Sequence, residues 1–285
     1  MDAAGADSPW LTALVLLEHA TELGREQVLA HPERTLTRTQ AAAFGALVER
    51  RCRREPLAYV LGYREFYGRR IAVNPLVLIP RPETEGLVAL ALERMLRWTR
   101  RQDDHEQEGA RTAAAPPMFV DVGTGSGAIA VTLLAQEPRW VAAATDTQLS
   151  ALATARANAA AWDVDPRLRL VACNLADAVR VRVPLVVANL PYVPSAEIAQ
   201  LEPEVSHYEP RAALDGGEDG TVITSALVAA LPTLLLPHGA AILELGEGQA
   251  EKLRTLARQA LPDSSVAVER DAAGIERFLV VERGA

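Results

Sequence analysis

Strand and helix signals alternate from residue 118 to the end of the chain, and this alternation constrains the fold more than any other feature. Short apolar runs recur between segments whose apolar residues have helical spacing. The sequence therefore predicts an α/β fold of the Rossmann-like kind, a doubly wound and mostly parallel sheet of about seven strands. The predicted strands cover residues 118–122, 141–145, 167–171, 185–188, 240–245, 265–269 and 276–281, and the predicted helices cover 127–136, 149–161, 221–235 and 249–261.

The pattern of residues 1–62 differs and predicts a small helical domain. Ser8 and Pro9 are typical of a helix start, because a capping hydroxyl precedes a proline at the first helical position. Thr37 and Gln40 have the spacing of a capping box and predict another helix start. The apolar residues predicted to share one face of the first helix are Leu11, Leu14, Val15 and Leu17, and those predicted to be buried by the other are Phe44, Leu47 and Val48.

Two changes of composition divide the rest of the chain. Residues 63–79 are rich in aromatic and β-branched side chains, which predicts a hairpin between two domains. Residues 100–117 are polar, then small, without periodicity, and predict a mobile surface loop after a helix at 86–98. The predicted division is a helical domain at 1–62, a hairpin linker at 63–80 and the α/β domain at 81–285.

Composition argues against several classes of protein. The net charge of −8 does not favour direct binding to nucleic acid. Cys52 and Cys173 stand far apart and the five histidines lack metal-ligand spacing, so no disulfide framework and no metal site is predicted. The acidic start, with Asp2 and Asp7, is unlike a secretory leader, and the apolar run at 10–17 is too short to span a bilayer. A cytoplasmic protein without a membrane partner is expected.

A glycine-rich segment, DVGTGSG at 121–127, follows a predicted strand and opens a helix. Its glycines let a ligand approach the backbone, and the free N–H groups at the helix start favour an anionic group. Asp146 ends the next predicted strand, where an acidic residue can accept hydrogen bonds from both ribose hydroxyls. The joint pattern predicts a nucleoside-containing cofactor. Its candidate ligands are Gly123, Thr124, Gly125, Ser126, Gly127 and Asp146.

The tetrapeptide NLPY at 189–192 follows the buried strand predicted at 185–188 and decides between two cofactors. NAD and S-adenosylmethionine both fit the glycine segment. The dinucleotide-binding pattern G-x-G-x-x-G, counted from Gly123, has its third glycine position at residue 128, and the alanine found there is a permitted substitution. A dehydrogenase has no evident use for Asn-x-Pro-Tyr at this point. A methyltransferase that acts on an amino or amide group has one, so NLPY favours S-adenosylmethionine.

The use of NLPY follows from the chemistry of a side-chain amide, whose nitrogen is a poor nucleophile because its lone pair is delocalised. Asn189 Oδ1 and the Leu190 carbonyl could each accept one N–H of the substrate and align its nitrogen with the methyl donor. Pro191 keeps Leu190 extended, and Tyr192 could stack on the planar group. Asn189, Pro191 and Tyr192 are therefore the predicted catalytic residues.

Five segments resemble, in order, the signatures of the bacterial release factor glutamine methyltransferases, and the resemblance covers nearly the whole chain. It implies a class I methyltransferase domain that uses S-adenosylmethionine. The implied substrate is the glutamine side chain in the GGQ motif of peptide chain release factors, which the helical domain would help to dock. The segments are EPLAYVLGYREFYG (55–68), IPRPETE (79–85), DVGTGSGAIA (121–130), NLPYV (189–193) and EPRAALDGGEDG (209–220).

The resemblance also implies roles for individual positions. Residues 123–127 would hold the methionine part of the cofactor and Asp146 its ribose, with Asn189 also bordering it. Asn174 and Leu175 would lie near the adenine. The substrate-binding positions are Asn189, Leu190, Pro191, Tyr192, Arg81 and Glu83.

Two positions depart from the family pattern. Leu190 stands where the family usually has proline. A backbone carbonyl survives any side-chain change, so Leu190→Pro is expected to leave activity similar or slightly higher. Asn174 stands where the family tends to have aspartate, and it can still hydrogen-bond the adenine edge but brings no charge.

Other functions stay open at the level of sequence. One is methylation of a ribosomal-protein glutamine or of the exocyclic amine of adenine in nucleic acid, although the chain has no basic stripe for the latter. Another is a non-catalytic module that binds S-adenosylmethionine. The intact glycine segment, Asp146, Asn189 and Tyr192 argue against loss of the chemistry.

Overall fold

A computed structural model of the chain describes residues 8–107 and 115–285. Within this part, a seven-stranded sheet has the order β5-β4-β3-β6-β7-β9-β8. Strands β3 to β7 pair in parallel, while β9 is antiparallel to both of its neighbours. The predicted α/β fold with a mostly parallel sheet is therefore confirmed. The strands of this sheet are β3 (Met118–Val122), β4 (Val141–Asp146), β5 (Leu168–Ala172), β6 (Val183–Ala188), β7 (Leu235–Glu244), β8 (Ser265–Arg270) and β9 (Glu276–Glu282).

Helices cover both faces of the sheet, because neighbouring residues of each central strand point to opposite sides. In β3, Phe119 packs into one core and Val120 into the other. Helices α5 (Thr84–Gln107), α6 (Ala128–Gln136) and α7 (Leu149–Ala161) contribute to the Phe119 core. Helices α9 (Val222–Leu234) and α10 (Ala250–Ala260) contribute to the other.

Strand order places two sequence motifs at one point on the sheet edge. Strand β3 lies between β4 and β6, so the chain connections leave it in opposite directions and open a crevice at the carboxyl ends. Val122 pairs with Ala188, so the glycine segment after β3 and Asn189 after β6 emerge side by side. The fold thereby brings together two motifs that are separated in sequence.

The amino-terminal helices differ from the sequence expectation in what they bury. In α3, the residues predicted to be buried are only half-buried, and the one buried side chain is that of Arg51. In α1, Leu11 is 45% exposed, whereas Leu16 is fully buried. These helices are too short to build a wide core of their own, so their apolar faces stay partly open. The helices of this region are α1 (Pro9–Thr21), α2 (Arg25–Ala30), α3 (Arg38–Cys52) and α4 (Leu57–Leu61).

Arginines of α3 and the residues that follow it connect this region to the α/β part. Arg51 Nη1 lies 2.8 Å from the Glu204 carboxylate in the short helix α8 (Pro203–Ser206), and Arg54 pairs with the same carboxylate. The Tyr208 hydroxyl donates to the Arg53 carbonyl at 2.6 Å. These contacts join the helical region to the segment that follows NLPY.

The hairpin and the segment after it correct two predicted boundaries. Strands β1 (Tyr63–Phe66) and β2 (Arg69–Ala72) form the hairpin, which ends before residue 79. The loop predicted at 100–117 is wrong for residues 100–107, which continue α5. The sequence of that last part of α5 has no apolar stripe, and Asp103 pairs there with Arg139 at 2.9 Å. Residues 108–114 lie outside the described part of the chain.

Candidate active site

A cavity of about 330 Å³ opens at the carboxyl ends of β3, β4 and β6, within the size range of ligand pockets. Its wall includes the glycine segment and the first three residues of NLPY. Every residue predicted to bind the cofactor, except Gly127, is part of this wall. The wall residues that carry the site are Thr84, Gly123, Thr124, Gly125, Ser126, Asp146, Asn174, Leu175, Asn189, Leu190 and Pro191.

The buried carboxylate of Asp121 stabilises the glycine segment by hydrogen bonds. Asp121 Oδ2 accepts hydrogen bonds from the Thr124 hydroxyl at 2.7 Å and from Ala130 N at 3.2 Å. Burial raises the pKa of Asp121 to about 7, against the effect of these two bonds. Asp121 was not among the predicted ligands, and the Thr124 hydroxyl serves the loop itself. Gly123 adopts a φ of 72°, so the turn suits a residue without a side chain.

The Asp146 side chain contacts the glycine segment on the side that faces the cavity. One carboxylate oxygen accepts from Gly125 N at 3.0 Å, and the other accepts from Gln148 N at 2.8 Å. The carboxylate is half-exposed and part of the cavity wall. Because each carboxylate oxygen has a further lone pair, Asp146 can still accept hydrogen bonds from two neighbouring hydroxyls of a ligand.

The segment after β5 forms the next part of the wall. Asn174 is exposed at the cavity, and Leu175 adopts a φ of 45°. The Leu175 carbonyl accepts from the buried Thr145 hydroxyl at 2.6 Å, which fixes this turn against β4. Asn174, Leu175 and Asp146 line the same cavity, and the role of Asn174 and Leu175 beside an adenine stays a prediction.

Asn189 has a side-chain acceptor atom that is left unpaired by residues 8–107 and 115–285. Its Nδ2 donates to the Thr84 hydroxyl oxygen at 3.0 Å. Its Oδ1 is buried and has no hydrogen-bond partner among the described residues. A buried acceptor without a partner costs about 1–3 kcal/mol, so this atom suits a ligand N–H. Thr84 was not among the predicted site residues, since nothing local in the sequence links it to residue 189.

Leu190 contributes more than a carbonyl group. Its side chain is 5% exposed and belongs to the core that contains Val120. A Cβ at Gly123 would lie 2.8 Å from Leu190 Cδ2, so the leucine packs directly over the glycine turn. This packing corrects the expectation that only the backbone of Leu190 matters.

Tyr192, Arg81 and Glu83 are not among the described residues that line this cavity. The Tyr192 carbonyl accepts from Gln249 Nε2 at 2.8 Å. Burial and the charge of Glu244 raise the pKa of the Tyr192 phenol. Glu83 is exposed. Their roles in substrate binding stay predictions.

Arg81 holds two of the motifs together. Its guanidinium lies 2.6 Å from Glu209, whose carboxylate also accepts from Ile79 N at 3.1 Å. Burial raises the pKa of Glu209, and the positive charge of Arg81 opposes this effect. The pair joins IPRPETE to EPRAALDGGEDG beside the cavity. Glu209 was not predicted, because only the fold reveals that these motifs meet.

The described side chains and helices were predicted neither to bind a metal ion nor to span a membrane. Over residues 8–107 and 115–285, no three His, Cys, Asp or Glu side chains are grouped so that they could hold a metal ion. In the same ranges, every helix is too short or too polar to cross a bilayer.

Comparison with known proteins places the chain in a family. Residues 1–62 match the model of the PrmC N-terminal domain, and residues 112–209 match that of the methyltransferase small domain. A release factor glutamine methyltransferase of Nitratidesulfovibrio vulgaris is 38% identical, over 99% of this chain and 91% of the relative. One of Bradyrhizobium diazoefficiens is 39% identical, over 94% of this chain and 86% of the relative.

A solved structure supports the fold. A methyltransferase from Pyrococcus furiosus matches with a TM-score of 0.55 and 15% identity, over 83% of this chain and 99% of that one. At this identity the likeness concerns the fold alone. The two curated relatives are similar to this chain over nearly its full length. Because of this similarity, the chain belongs to the release factor glutamine methyltransferase family.

Proposed function

We propose that this protein transfers a methyl group from S-adenosylmethionine to the side-chain amide nitrogen of the glutamine in the GGQ motif of bacterial peptide chain release factors. One observation carries the proposal: Asn189, a residue of the cavity wall beside the glycine segment, has a buried acceptor, Oδ1, that no described residue pairs with. An amide N–H is the donor that this acceptor suits. We expect the reaction in the cytoplasm, where release factors act.

The residues of the wall fit S-adenosylmethionine. The glycine turn is open, since a Cβ at Gly125 would meet no atom within 4 Å. Residues 123–127 would hold the methionine part, and the Asp146 carboxylate would accept from the ribose hydroxyls. Asn174 and Leu175 would contact the adenine. When bound, the cofactor supplies a methyl group on a positively charged sulfur.

The protein's part in the reaction is to hold and orient the glutamine amide. Asn189 Oδ1 and the Leu190 carbonyl would each accept one N–H, which fixes the nitrogen in line with the methyl group. Alignment of the reacting atoms within one site accounts for most of the expected acceleration. Pro191 restricts Leu190 to an extended backbone and so aims its carbonyl. The nitrogen loses its proton after the methyl arrives, so the step needs no strong base.

The amino-terminal helices are proposed to dock the body of the release factor. The ion pairs of Arg51 and Arg54 with Glu204 hold these helices beside the segment that follows NLPY. A partner bound to the helices would therefore be held near the cavity. The net charge of −8 does not favour nucleic acid as the substrate.

Mass spectrometry of a purified release factor, incubated with this protein and S-adenosylmethionine, tests the proposal. We expect one added methyl group on the GGQ glutamine, and a much slower addition when Asn189→Ala replaces the wild type. An unmodified release factor, or a methyl group on another residue, would refute the assignment.

A further inference from the structure

Gln249, the residue just before α10, contacts the end of NLPY, and the proposed mechanism does not use it. The residue is buried, with 8% of its surface exposed. Its Nε2 donates to the Tyr192 carbonyl at 2.8 Å, and its Oε1 accepts from Gly246 N at 2.9 Å. Because the carbonyl can only accept and the backbone N–H can only donate, the side-chain amide has one orientation. The Tyr192 carbonyl is therefore held by a group whose own orientation is fixed.

Gly220, the last residue of EPRAALDGGEDG, lies against the same carbonyl. It adopts a φ of 75°, a conformation that favours glycine. A Cβ at this position would overlap the Tyr192 carbonyl oxygen and would lie 2.6 Å from Gln249 Nε2. A side chain at residue 220 would therefore displace one partner of the hydrogen bond between Gln249 and Tyr192.

Other residues of EPRAALDGGEDG pair with the backbone that follows NLPY. Val193 N donates to the Leu214 carbonyl at 2.9 Å, and the Val193 carbonyl accepts from Gly216 N at 2.9 Å. Ser195 N donates to the Gly217 carbonyl, also at 2.9 Å. These bonds belong to a short parallel bridge between the two segments. The backbone from residue 192 to residue 195 is therefore held by parts of the chain that are distant in sequence.

The Leu190 carbonyl differs from the Tyr192 carbonyl. Within residues 8–107 and 115–285, no backbone N–H donates to the Leu190 carbonyl. We propose that Gln249 and Gly220 are positioning residues for this carbonyl, which accepts the substrate amide. They act by fixing the Tyr192 carbonyl, and the ring of Pro191 restricts the backbone between the two carbonyls. This inference deepens the proposed function and rests on it for the identity of the substrate.

Variants of Gln249 with a side chain of similar length test the inference by kinetics. Gln249→Glu keeps an acceptor for Gly246 N but places an oxygen opposite the Tyr192 carbonyl, which repels it. We expect kcat for a GGQ peptide to fall at least about tenfold, because a small displacement of an aligning group is enough. Gln249→Met removes the bonds without adding a charge and should lower kcat about fivefold. The dissociation constant of S-adenosylmethionine, measured by calorimetry, should change less than about threefold in both variants, because the glycine segment and Asp146 are untouched.

Thr99→Val shows whether lost stability alone could explain such effects. The Thr99 hydroxyl oxygen accepts from Trp140 Nε1 at 3.2 Å, and both residues are buried away from the residues that line the cavity. This variant also loses a buried hydrogen bond, so its thermal unfolding midpoint should fall. Its kcat should stay within about twofold of that of the wild type. If both Gln249 variants have a kcat within about twofold of that of Thr99→Val, the inference is overturned, and Gln249→Met decides by the same limit if Gln249→Glu does not fold.

A pair of glycine variants tests the role of Gly220. Gly274 adopts a φ of 81°, and a Cβ there would meet no atom within 4 Å. Gly274→Ala and Gly220→Ala therefore share the cost of a left-handed alanine, but only Gly220→Ala displaces the Tyr192 carbonyl. We expect kcat to be at least about tenfold lower in Gly220→Ala than in Gly274→Ala. Equal kcat values for the two would contradict the inference, whereas a wild type that methylates no release factor would instead refute the proposed function.

Discussion

The cofactor half and the amide half of the cavity are built in different ways. In the cofactor half, the hydrogen-bond partners described above lie at most 30 positions apart, as Asp121 and Thr124, Gly125 and Asp146, and Thr145 and Leu175 do. In the amide half, Asn189 depends on Thr84, which lies 105 positions away in sequence. The cofactor half is therefore organised by segments that follow successive strands, whereas the amide half depends on a contact between distant parts of the chain. Distant substitutions should disturb amide orientation while leaving cofactor binding nearly unchanged.

Asn189→Ala should separate the two halves most clearly. Loss of the amide acceptor removes the alignment of the substrate nitrogen, so we expect the methylation rate to fall about 100- to 1,000-fold or more. Cofactor affinity should stay close to that of the wild type. Radiolabelled methyl transfer and calorimetry on the same preparation measure the two quantities. A rate near that of the wild type would end the proposed role of Asn189.

Asp146→Ala should have the opposite effect, since it should weaken cofactor binding and leave the amide half intact. Removing a charged acceptor from two ligand hydroxyls costs about 1.5–3 kcal/mol per hydrogen bond, so the affinity for S-adenosylmethionine should fall at least about 10- to 100-fold. The Gly125 amide also loses its partner, which adds to the loss. Saturating cofactor should recover much of the rate, because the amide half is intact. Unchanged affinity by calorimetry would exclude this role of Asp146.

Deleting residues 1–62 tests whether the helical region binds the release factor or only stabilises the fold. We expect methylation of a whole release factor to fall at least about tenfold more than methylation of a short GGQ peptide. The peptide is the matched control, since it needs the cavity alone. Equal losses on both substrates would mean that these helices, with Arg51 and Arg54 paired to Glu204, act only in stability.

Leu190→Pro should have the smallest effect. The sequence favours an unchanged or slightly higher activity, but the structure packs the leucine side chain over Gly123. Loss of part of that buried side chain should lower the free energy of unfolding by about 1–3 kcal/mol and slow methylation about twofold. Thermal unfolding and initial rates measure both. A variant as stable as the wild type would show that the packing contributes nothing.

The same contrast explains how much of the molecule could be predicted. Gly123 and Asp146 lie at the ends of consecutive strands, so their spacing in the sequence predicts a cofactor site. Asn189 was found because a short motif carries it. Thr84 and Glu209 were missed as site residues because their partners, Asn189 and Arg81, are distant in sequence and only the fold brings each pair together.

Prediction of the elements failed where burial and helical spacing diverge. Residues 100–107 lack apolar periodicity, yet they continue α5 as a polar extension with Asp103 paired to Arg139. In α3 the apolar spacing is helical, yet Phe44 stays half-buried because few elements pack against it. Periodicity reports which residues can face a core, but the size of that core depends on the whole fold.

A crystal structure of the wild-type protein with S-adenosylhomocysteine and a GGQ peptide tests the central claim most directly. The account predicts Asn189 Oδ1 about 2.9 Å from the glutamine amide nitrogen, a normal N–H to O distance, with Nδ2 still on Thr84. A glutamine nitrogen held by other groups, beyond hydrogen-bonding distance of Asn189 Oδ1, would contradict it.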